Sequence, residues 1–259
     1  MSVPAMELSG IEHHYGYVRA LDGIDFHVDP GEVVGLLGDN GAGKSTLLMV
    51  MSGAHRPTHG EIRVNGEPQT FHAPKDATAA GIQMVYQDLA LVNPQDIATN
   101  LNLGEEILRR GPLGWLGFVN HRAQRRRAEE QLDKLGIRSA PMTRPVEMLS
   151  GGQRQAIAFA RSAIRVSGAS GGGVLLLDEP TAALGYEQTR HVEDLIRRLS
   201  EQGTAVVVVS HDLPLCFEVT DRMVILNRGR RVADIATADA DRDDVVGWIT
   251  GSRSSMFGP

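Results

Sequence analysis

Short apolar runs alternate with turn residues and with amphipathic stretches along most of the chain. The pattern predicts strands at residues 6–13, 24–28, 32–37, 61–64, 174–177 and 205–209, and helices at 44–52 and 187–202. Turn residues at Asn65-Gly66 and at 227–229 predict two hairpins. Short apolar strands separated by helices are typical of parallel sheets that are covered on both faces. The fold class is therefore α/β, with a mainly parallel sheet and an antiparallel flap beside it.

The middle of the chain has a different, mostly helical character. Between residues 100 and 148, a Gly/Pro/Trp-rich stretch at 111–117 interrupts the helical pattern, and a basic stretch follows at 122–127. We expect one domain in which a helical subdomain at 100–148 is inserted into a core made of 1–99 and 149–259. A basic run of this kind is commonly a solvated helix face, but a role on a membrane-facing surface is also open.

Composition and charge exclude several classes of protein. The chain has 259 residues and a formal net charge of -6, which argues against a general nucleic-acid binder because contacts to phosphates need a basic surface. Its apolar runs are far shorter than the roughly 20 residues that cross a bilayer, and residues 1–10 lack the pattern of a secretory signal. The single cysteine, Cys216, is either a buried hydrophobe or a reactive thiol. We expect a cytoplasmic protein.

A phosphate-binding loop is the most specific chemical motif in the chain. The pattern of glycine, four residues and Gly-Lys-Ser is matched by Gly38, Asp39, Asn40, Gly41, Ala42, Gly43, Lys44 and Ser45, and Thr46 continues into the predicted helix. Glycines let successive backbone N–H groups face the phosphates, while Lys44 supplies a cation and Ser45 a hydroxyl for Mg²⁺. The loop predicts a nucleotide site, but it does not separate GTPases, kinases, motor ATPases and transporter subunits.

Two adjacent carboxylates follow a buried strand further along the chain. Asp178 and Glu179 come directly after the apolar run at 174–177, at the end of the strand where open α/β sheets place their ligands. We expect Asp178 to hold Mg²⁺ through water and Glu179 to polarise the water that attacks the nucleotide. The alternative is an acidic helix start, since Pro180 follows and negative charge stabilises helix N-termini.

The residues that point to one family begin just before a predicted helix at 154–165. The run Leu149, Ser150, Gly151, Gly152 and Gln153 resembles the signature of the ABC transporter ATPases. A helix N-terminus of this kind binds anions. The resemblance implies that Ser150, Gly151, Gly152 and Gln153 contact the γ-phosphate of an ATP held on the phosphate loop of a second copy, in a head-to-tail dimer.

Three further positions match the same family in order along the chain. Tyr15 stands where the family stacks an aromatic ring on adenine, although a packing role is equally open. Gln87 matches a glutamine that senses the γ-phosphate, contacts Mg²⁺ and faces the permease, and His211 matches the switch histidine that stabilises the reacting phosphate. The resemblance thus places Glu179, His211 and Gln87 in catalysis. We expect His13 and His14 to be surface residues.

One position departs from the usual family pattern. After the two carboxylates, Gly185 stands where many members have an aspartate that contacts the opposing subunit. The form Thr-Ala-Ala-Leu-Gly at 181–185 is nevertheless similar to a variant found in bacterial importers of ribose, xylose and fructose. Segments 81–92 and 98–105 resemble the same branch. Many members of that branch are fused tandem pairs, whereas this chain has one phosphate loop and one signature.

The resemblance implies an ATPase subunit of a monosaccharide importer, with ATP and Mg²⁺ bound. Its expected partners are a second copy, transmembrane permease subunits and, indirectly, an extracytoplasmic sugar-binding protein, and its expected place is the cytoplasmic face of the inner membrane. Alternatives are a member serving amino acids, lipids or metals, an ABC ATPase acting in DNA repair or translation, and a regulatory subunit that hardly hydrolyses ATP.

Overall fold

The computed structural model describes residues 3–85, 89–137, 140–167, 173–182 and 185–257. Its strands are β1 (Met6–Tyr15), β2 (Val18–Val28), β3 (Val33–Gly38), β4 (His59–Val64), β5 (Glu67–Gln69), β6 (Ile82–Val85), β7 (Val174–Asp178), β8 (Ala205–Val209), β9 (Arg222–Asn227) and β10 (Arg230–Ala236). Its helices are α1 (Lys44–Met51), α2 (Pro74–Ala79), α3 (Ile97–Leu101), α4 (Pro112–Trp115), α5 (His121–Lys134), α6 (Gly151–Ser167), α7 (Tyr186–Glu201), α8 (Leu213–Val219) and α9 (Arg242–Thr250), with short 3₁₀ turns at Val146–Met148 and Thr237–Asp239.

The larger sheet has the strand order β10-β9-β3-β8-β7-β6. The pairs β9/β3, β3/β8, β8/β7 and β7/β6 are parallel, and β10 pairs with β9 in the antiparallel direction. All six residues of β3 and all five of β8 are buried, as continuous apolar strands covered on both faces must be. The predicted mainly parallel α/β sheet is confirmed.

The smaller sheet is the predicted antiparallel flap. Its order is β2-β1-β4-β5, and its three neighbouring pairs are all antiparallel. Val64 pairs with Glu67 across the turn at Asn65 and Gly66, so this hairpin prediction is confirmed. Asn65 has a φ of 50°, a left-handed conformation that asparagine adopts more readily than most residues.

The larger sheet separates two hydrophobic cores because successive side chains of a strand point to opposite faces. Val174 and Leu176 of β7 pack with the flap and α1, whereas Leu175 and Leu177 of the same strand pack with α6 and α7. A third cluster lies around α8, α9 and β9 and contains Cys216. Burial raises the pKa of the Cys216 thiol to about 12, which favours the buried hydrophobe over the reactive thiol.

Three helices, α3, α4 and α5, follow the loop after β6, and α3 and α5 pack on the second core. Asn100 of α3 is fully buried and secures that loop: its side-chain oxygen accepts from the Val92 N–H, and its amide donates to the carbonyl oxygens of Val92, Gln95 and Asp96. The Gly/Pro/Trp-rich stretch, which interrupts the helical pattern of the sequence, contains the short helix α4. Within the described residues, no helix has the length and apolar character required to cross a membrane.

Candidate nucleotide-binding site

Three adjacent parallel strands end together and bring the predicted site residues to one edge of the sheet. Val209, the last residue of β8, pairs with Leu36 of β3 on one side and with Asp178 of β7 on the other. The Glu179 N–H also donates to the Val209 carbonyl oxygen at 2.9 Å. The loops that carry the phosphate motif, the paired carboxylates and His211 therefore leave the sheet side by side.

The phosphate loop closes around the Lys44 side chain. Lys44 is 6% exposed, and its ammonium group donates to the carbonyl oxygens of Gly38 at 2.8 Å and Asp39 at 3.0 Å. A side chain at position 38 would collide with the Leu226 carbonyl oxygen, and its φ of 149° disfavours other residues, so this turn requires glycine. The loop presents Asp39, Asn40, Gly41 and Ser45 to solvent, with Ala42 buried and Gly43 and Thr46 half-buried.

Lys44, Asp178 and Glu179 form a partly desolvated charge cluster. Burial lowers the pKa of Lys44, against the opposing effect of Glu179, Asp39 and Asp178. Burial raises the pKa of Asp178, and that of Glu179 also, although Lys44 and His211 counteract both shifts. Groups whose charged forms are disfavoured until a counter-charge arrives are typical of ligand and catalytic sites.

Glu179 faces His211 across the ends of β7 and β8. The His211 Nε2 lies 3.0 Å from the Glu179 Oε1, and the His211 N–H donates to the Glu179 Oε2 at 3.4 Å. The orientation at Oε1 does not satisfy hydrogen-bond geometry, so this buried oxygen has no hydrogen-bond partner among the residues that the structure describes. Glu179 has a φ of 50°, a conformation unusual outside glycine that marks a constrained turn.

The donor set fits a hydrated divalent cation. An exposed Ser45 hydroxyl, the half-buried Asp178 carboxylate and the unpartnered Glu179 Oε1 are all oxygen donors, which Mg²⁺ prefers, and Mg²⁺ commonly keeps several of its waters. Gln87, the third residue predicted to contact Mg²⁺, lies outside the described residues.

Tyr15 belongs to a ring cluster at the tip of the flap. Its ring contacts those of His13 and His55 edge-on, with centroids 4.8 and 5.6 Å apart, and the two histidine rings stack at 5.2 Å. Tyr15 remains 47% exposed, so packing still leaves part of its ring free for a base. His13 and His14 are half-buried, so both lie at the surface with part of each side chain exposed. The pattern of single histidines in a sequence does not reveal such ring contacts.

The signature residues form the exposed N-terminal end of α6. The Ser150 N–H donates to the Gln153 side-chain oxygen at 3.0 Å, and the Gln153 N–H donates to the Ser150 hydroxyl at 3.3 Å. This reciprocal capping box stabilises the helix start and gives Gln153 a structural role. Ser150, Gly151 and Gln153 are exposed, and no hydrogen bond or ion pair within the described ranges joins them to the phosphate loop.

Sequence reasoning did not identify two side chains of α6 that connect the site to its surroundings. Buried Gln155 donates to the Pro180 carbonyl oxygen, next to Glu179. Arg161 donates to the carbonyl oxygens of Ala90 at 2.8 Å and Leu89 at 3.1 Å, in the segment that follows Gln87. The only available signal was their position on the predicted helix after the signature.

Gly185, the departure from the family pattern, caps the N-terminus of α7 with an extended backbone, φ -79° and ψ 167°. Exposed Tyr186 begins the helix and lies 5.9 Å beneath the Arg190 guanidinium. Gly185 therefore needs no left-handed conformation, and an aspartate would also suit this capping position.

The chain resembles proteins that bind ATP in import systems. It is 42% identical to the fructose import ATP-binding protein FrcA of Rhizobium meliloti over 96% of this chain and 95% of that protein. It is 40% identical to the xylose/arabinose import ATP-binding protein XylG of Sulfolobus acidocaldarius, over 87% of this chain and 85% of that protein. A ribose import ATP-binding protein of Rubrobacter xylanophilus is 40% identical over 96% of this chain, which spans 47% of that protein.

The family model for the ABC transporter domain matches residues 21–182. Among solved structures, MJ1267, an ATP-binding cassette of an ABC transporter, superposes with a TM-score of 0.80 at 21% identity, covering 97% of this chain and 98% of that one. The ATP-binding cassette MJ0796, in a dimeric structure with ADP and phosphate, superposes with a TM-score of 0.71 at 24% identity over 90% and 98%. These likenesses establish the fold.

The raised pKa of Asp178 predicts that this carboxylate destabilises the nucleotide-free protein. Some carboxyl groups have a higher pKa in the folded protein than in the unfolded protein. For such a group, the free energy of unfolding falls as the pH rises from the lower pKa to the higher one. We expect Asp178→Asn to unfold at a higher temperature than the wild type at pH 8, and the gain to shrink as the pH falls through the raised pKa of Asp178. Thermal melts without nucleotide measure the difference.

Asp22 provides a control of opposite sign. Hydrogen bonds from Arg230 and Arg19 lower its pKa, so Asp22→Asn should melt below the wild type by the same amount from pH 8 to pH 5. A loss of stability in Asp178→Asn at pH 8 would contradict the prediction.

Proposed function

The chain belongs to the ABC transporter family, and from this membership and the site we propose that it is the ATP-hydrolysing subunit of a monosaccharide importer. One observation supports this proposal most directly: Lys44, the Asp178-Glu179 pair and His211 lie together at the ends of three paired strands. This arrangement contains a phosphate cradle, a metal-binding carboxylate and a candidate base in one place, as hydrolysis of a phosphoanhydride requires.

The chemistry is transfer of the γ-phosphoryl group to water. Backbone N–H groups from Gly41 to Ser45 bind the phosphates, and Lys44 exchanges its two carbonyl partners for phosphate oxygens. Ser45, Asp178 and Gln87 would hold Mg²⁺, which would neutralise charge on the phosphates. Glu179 accepts the proton of the attacking water, and His211 moves from Glu179 to the γ-phosphate.

The remaining part of each site comes from a second copy. The exposed end of α6 offers the backbone N–H groups at Gly151 and Gly152 and the Ser150 hydroxyl, which suit a phosphate and, within the described residues, make no hydrogen bond to this chain's own phosphate loop. Two copies arranged head to tail complete two sites. Tyr15 stacks on adenine and is supported from behind by His13 and His55.

We assign force transmission to the helical subdomain at 100–148, with 1–99 and 149–259 as the nucleotide-binding core. Arg161 connects α6 to the segment after Gln87, so a change at the γ-phosphate reaches this subdomain and the permease it contacts. The protein then acts at the cytoplasmic face of the membrane, alongside permease subunits. An extracytoplasmic binding protein delivers the sugar, and nucleic acid is not a partner.

The sugar assignment rests on the relatives. Three of them, 40% to 42% identical over most of this chain, are import proteins for fructose, xylose/arabinose and ribose. Reconstitution with the permease and binding protein encoded beside it tests the assignment. We expect ribose, xylose or fructose to stimulate ATP hydrolysis, whereas stimulation by an amino acid, a lipid or a metal, or by none of these, would assign the chain to another branch.

Glu179→Gln removes the base while keeping the shape of the side chain. We expect ATP turnover to fall by a factor of about 10² to 10⁴, the usual contribution of a positioned base, with ATP binding retained. Phosphate release and equilibrium nucleotide binding measure the two effects. Glu201→Gln, at the exposed end of α7, is the matched control and should keep wild-type turnover. Undiminished turnover in Glu179→Gln would refute the assignment.

Mixing two inactive variants tests the shared site. Lys44→Ala disables the phosphate loop, and Gly151→Asp places a negative charge against the phosphate at a position where the structure has open space. Each variant alone should be inactive. An equal mixture should recover up to about a quarter of wild-type activity, because half of its dimers are mixed and each contains one intact site.

Gly151→Ala controls for the added side chain and should retain most activity. If the mixture stays as inactive as its components although an affinity tag on one variant recovers the other variant in the presence of ATP, the site is not shared between copies.

A further inference from the structure

A loop between α3 and α5 exposes an unusual number of large apolar side chains. Of the sixteen exposed large hydrophobic residues in the described part of the chain, six lie between residues 103 and 118. Trp115 is 96% exposed and Leu116 is 74% exposed. Together with exposed Leu113 and Phe118, they lie in and directly after the short helix α4. We call these four residues the apolar tip. Exposure of large apolar side chains in one place is typical of an interaction surface.

The apolar tip is held by a defined backbone structure. The Arg109 N–H donates to the Phe118 carbonyl oxygen at 2.8 Å, and the Phe118 N–H donates to the Leu113 carbonyl oxygen at 3.0 Å. Leu108 and Val119 form an antiparallel bridge below them. Gly114 packs so closely on the Arg109 carbonyl oxygen that any side chain there would collide with it. Trp115 and Leu116 are therefore presented on a folded turn, not on a loose tail.

Arginines flank this turn on both sides in the sequence. Residues 107–127 contain six arginines and neither aspartate nor glutamate, in a chain whose formal net charge is -6. Arg126 and Arg127 pair with Glu130 and Glu105. Four others have no ion-pair partner among the residues that the structure describes, and all four are exposed; this arginine group consists of Arg109, Arg110, Arg122 and Arg125. Four exposed cations that flank an apolar tip in the sequence favour an anionic partner.

We propose that the apolar tip and the arginine group dock on the surface of an anionic lipid bilayer. A tryptophan with neighbouring leucine and phenylalanine favours the headgroup region of a membrane, and arginines beside it are attracted to anionic headgroups. A second copy of the same surface would bring the arginine groups against each other, so self-association through this face is opposed by charge. The contact orients the nucleotide-binding subunit beside its membrane partner without inserting into the hydrocarbon core.

Vesicle flotation of the purified, nucleotide-free protein tests this contact. The vesicles contain phosphatidylcholine alone or with about one third phosphatidylglycerol. We expect the wild type to float with the anionic vesicles and not with the neutral ones, and to be released by high salt. Arg109→Gln/Arg110→Gln should lower partitioning roughly tenfold, since each basic side chain near an anionic surface contributes several-fold. Trp115→Ala/Leu116→Ala should lower it to a similar extent and abolish the shift in Trp115 fluorescence.

Two double variants elsewhere provide matched controls. Met256→Ala/Phe257→Ala removes a comparable exposed apolar pair, and Arg242→Gln/Arg253→Gln removes two exposed arginines; both should float like the wild type. Equal binding to neutral vesicles, equal loss in the control variants, or binding only to vesicles that contain the permease would overturn the proposal. The last outcome would assign the surface to a protein partner. Because the assay contains no nucleotide, its failure leaves the ATPase proposal intact.

Discussion

Backbone pairing at Val209 is the constraint on which the candidate site depends. The last residue of β8 is hydrogen-bonded into a ladder with β3 on one side and β7 on the other. Each of these strands is completely or almost completely buried, so a shift in register would expose apolar residues on both faces. Hydrophobic burial thereby determines the spacing between Lys44, Glu179 and His211.

The parts of the structure that depend on local sequence were predictable. The phosphate loop, the carboxylates after β7 and the Asn65-Gly66 hairpin follow from residue types at fixed spacing, and each lies where its motif requires. The predicted strands lie within two residues of the observed bounds, except that β2 begins six residues before its predicted start, and β6 was not predicted. The roles of Tyr15, Gln87 and the signature came instead from family resemblance, because one tyrosine, one glutamine or one capped helix start has no unique meaning.

Contacts between distant segments were not predictable. The hydrophobic pattern does not predict α8 or α9, since they have only seven and nine residues, too few for a helical period to be recognised. The stacking of His55 on His13 joins residues on different elements, and the bond from Arg161 to Ala90 spans 71 positions. The burial of Glu179 likewise depends on β3, β7 and β8 together. The sequence shows which polar groups are present, but it does not show which of them are buried away from water in the fold.

The bond from Gln155 to the Pro180 carbonyl has a mechanical consequence. It fastens the helix that begins at the signature to the turn that holds Glu179. A rigid helix that is pulled at its first turn must either carry that turn with it or break a buried hydrogen bond. In the proposed dimer, contact of the second copy with this helix end would be transmitted to the turn that holds Glu179 in the same subunit, which would give the two copies a physical means of acting together.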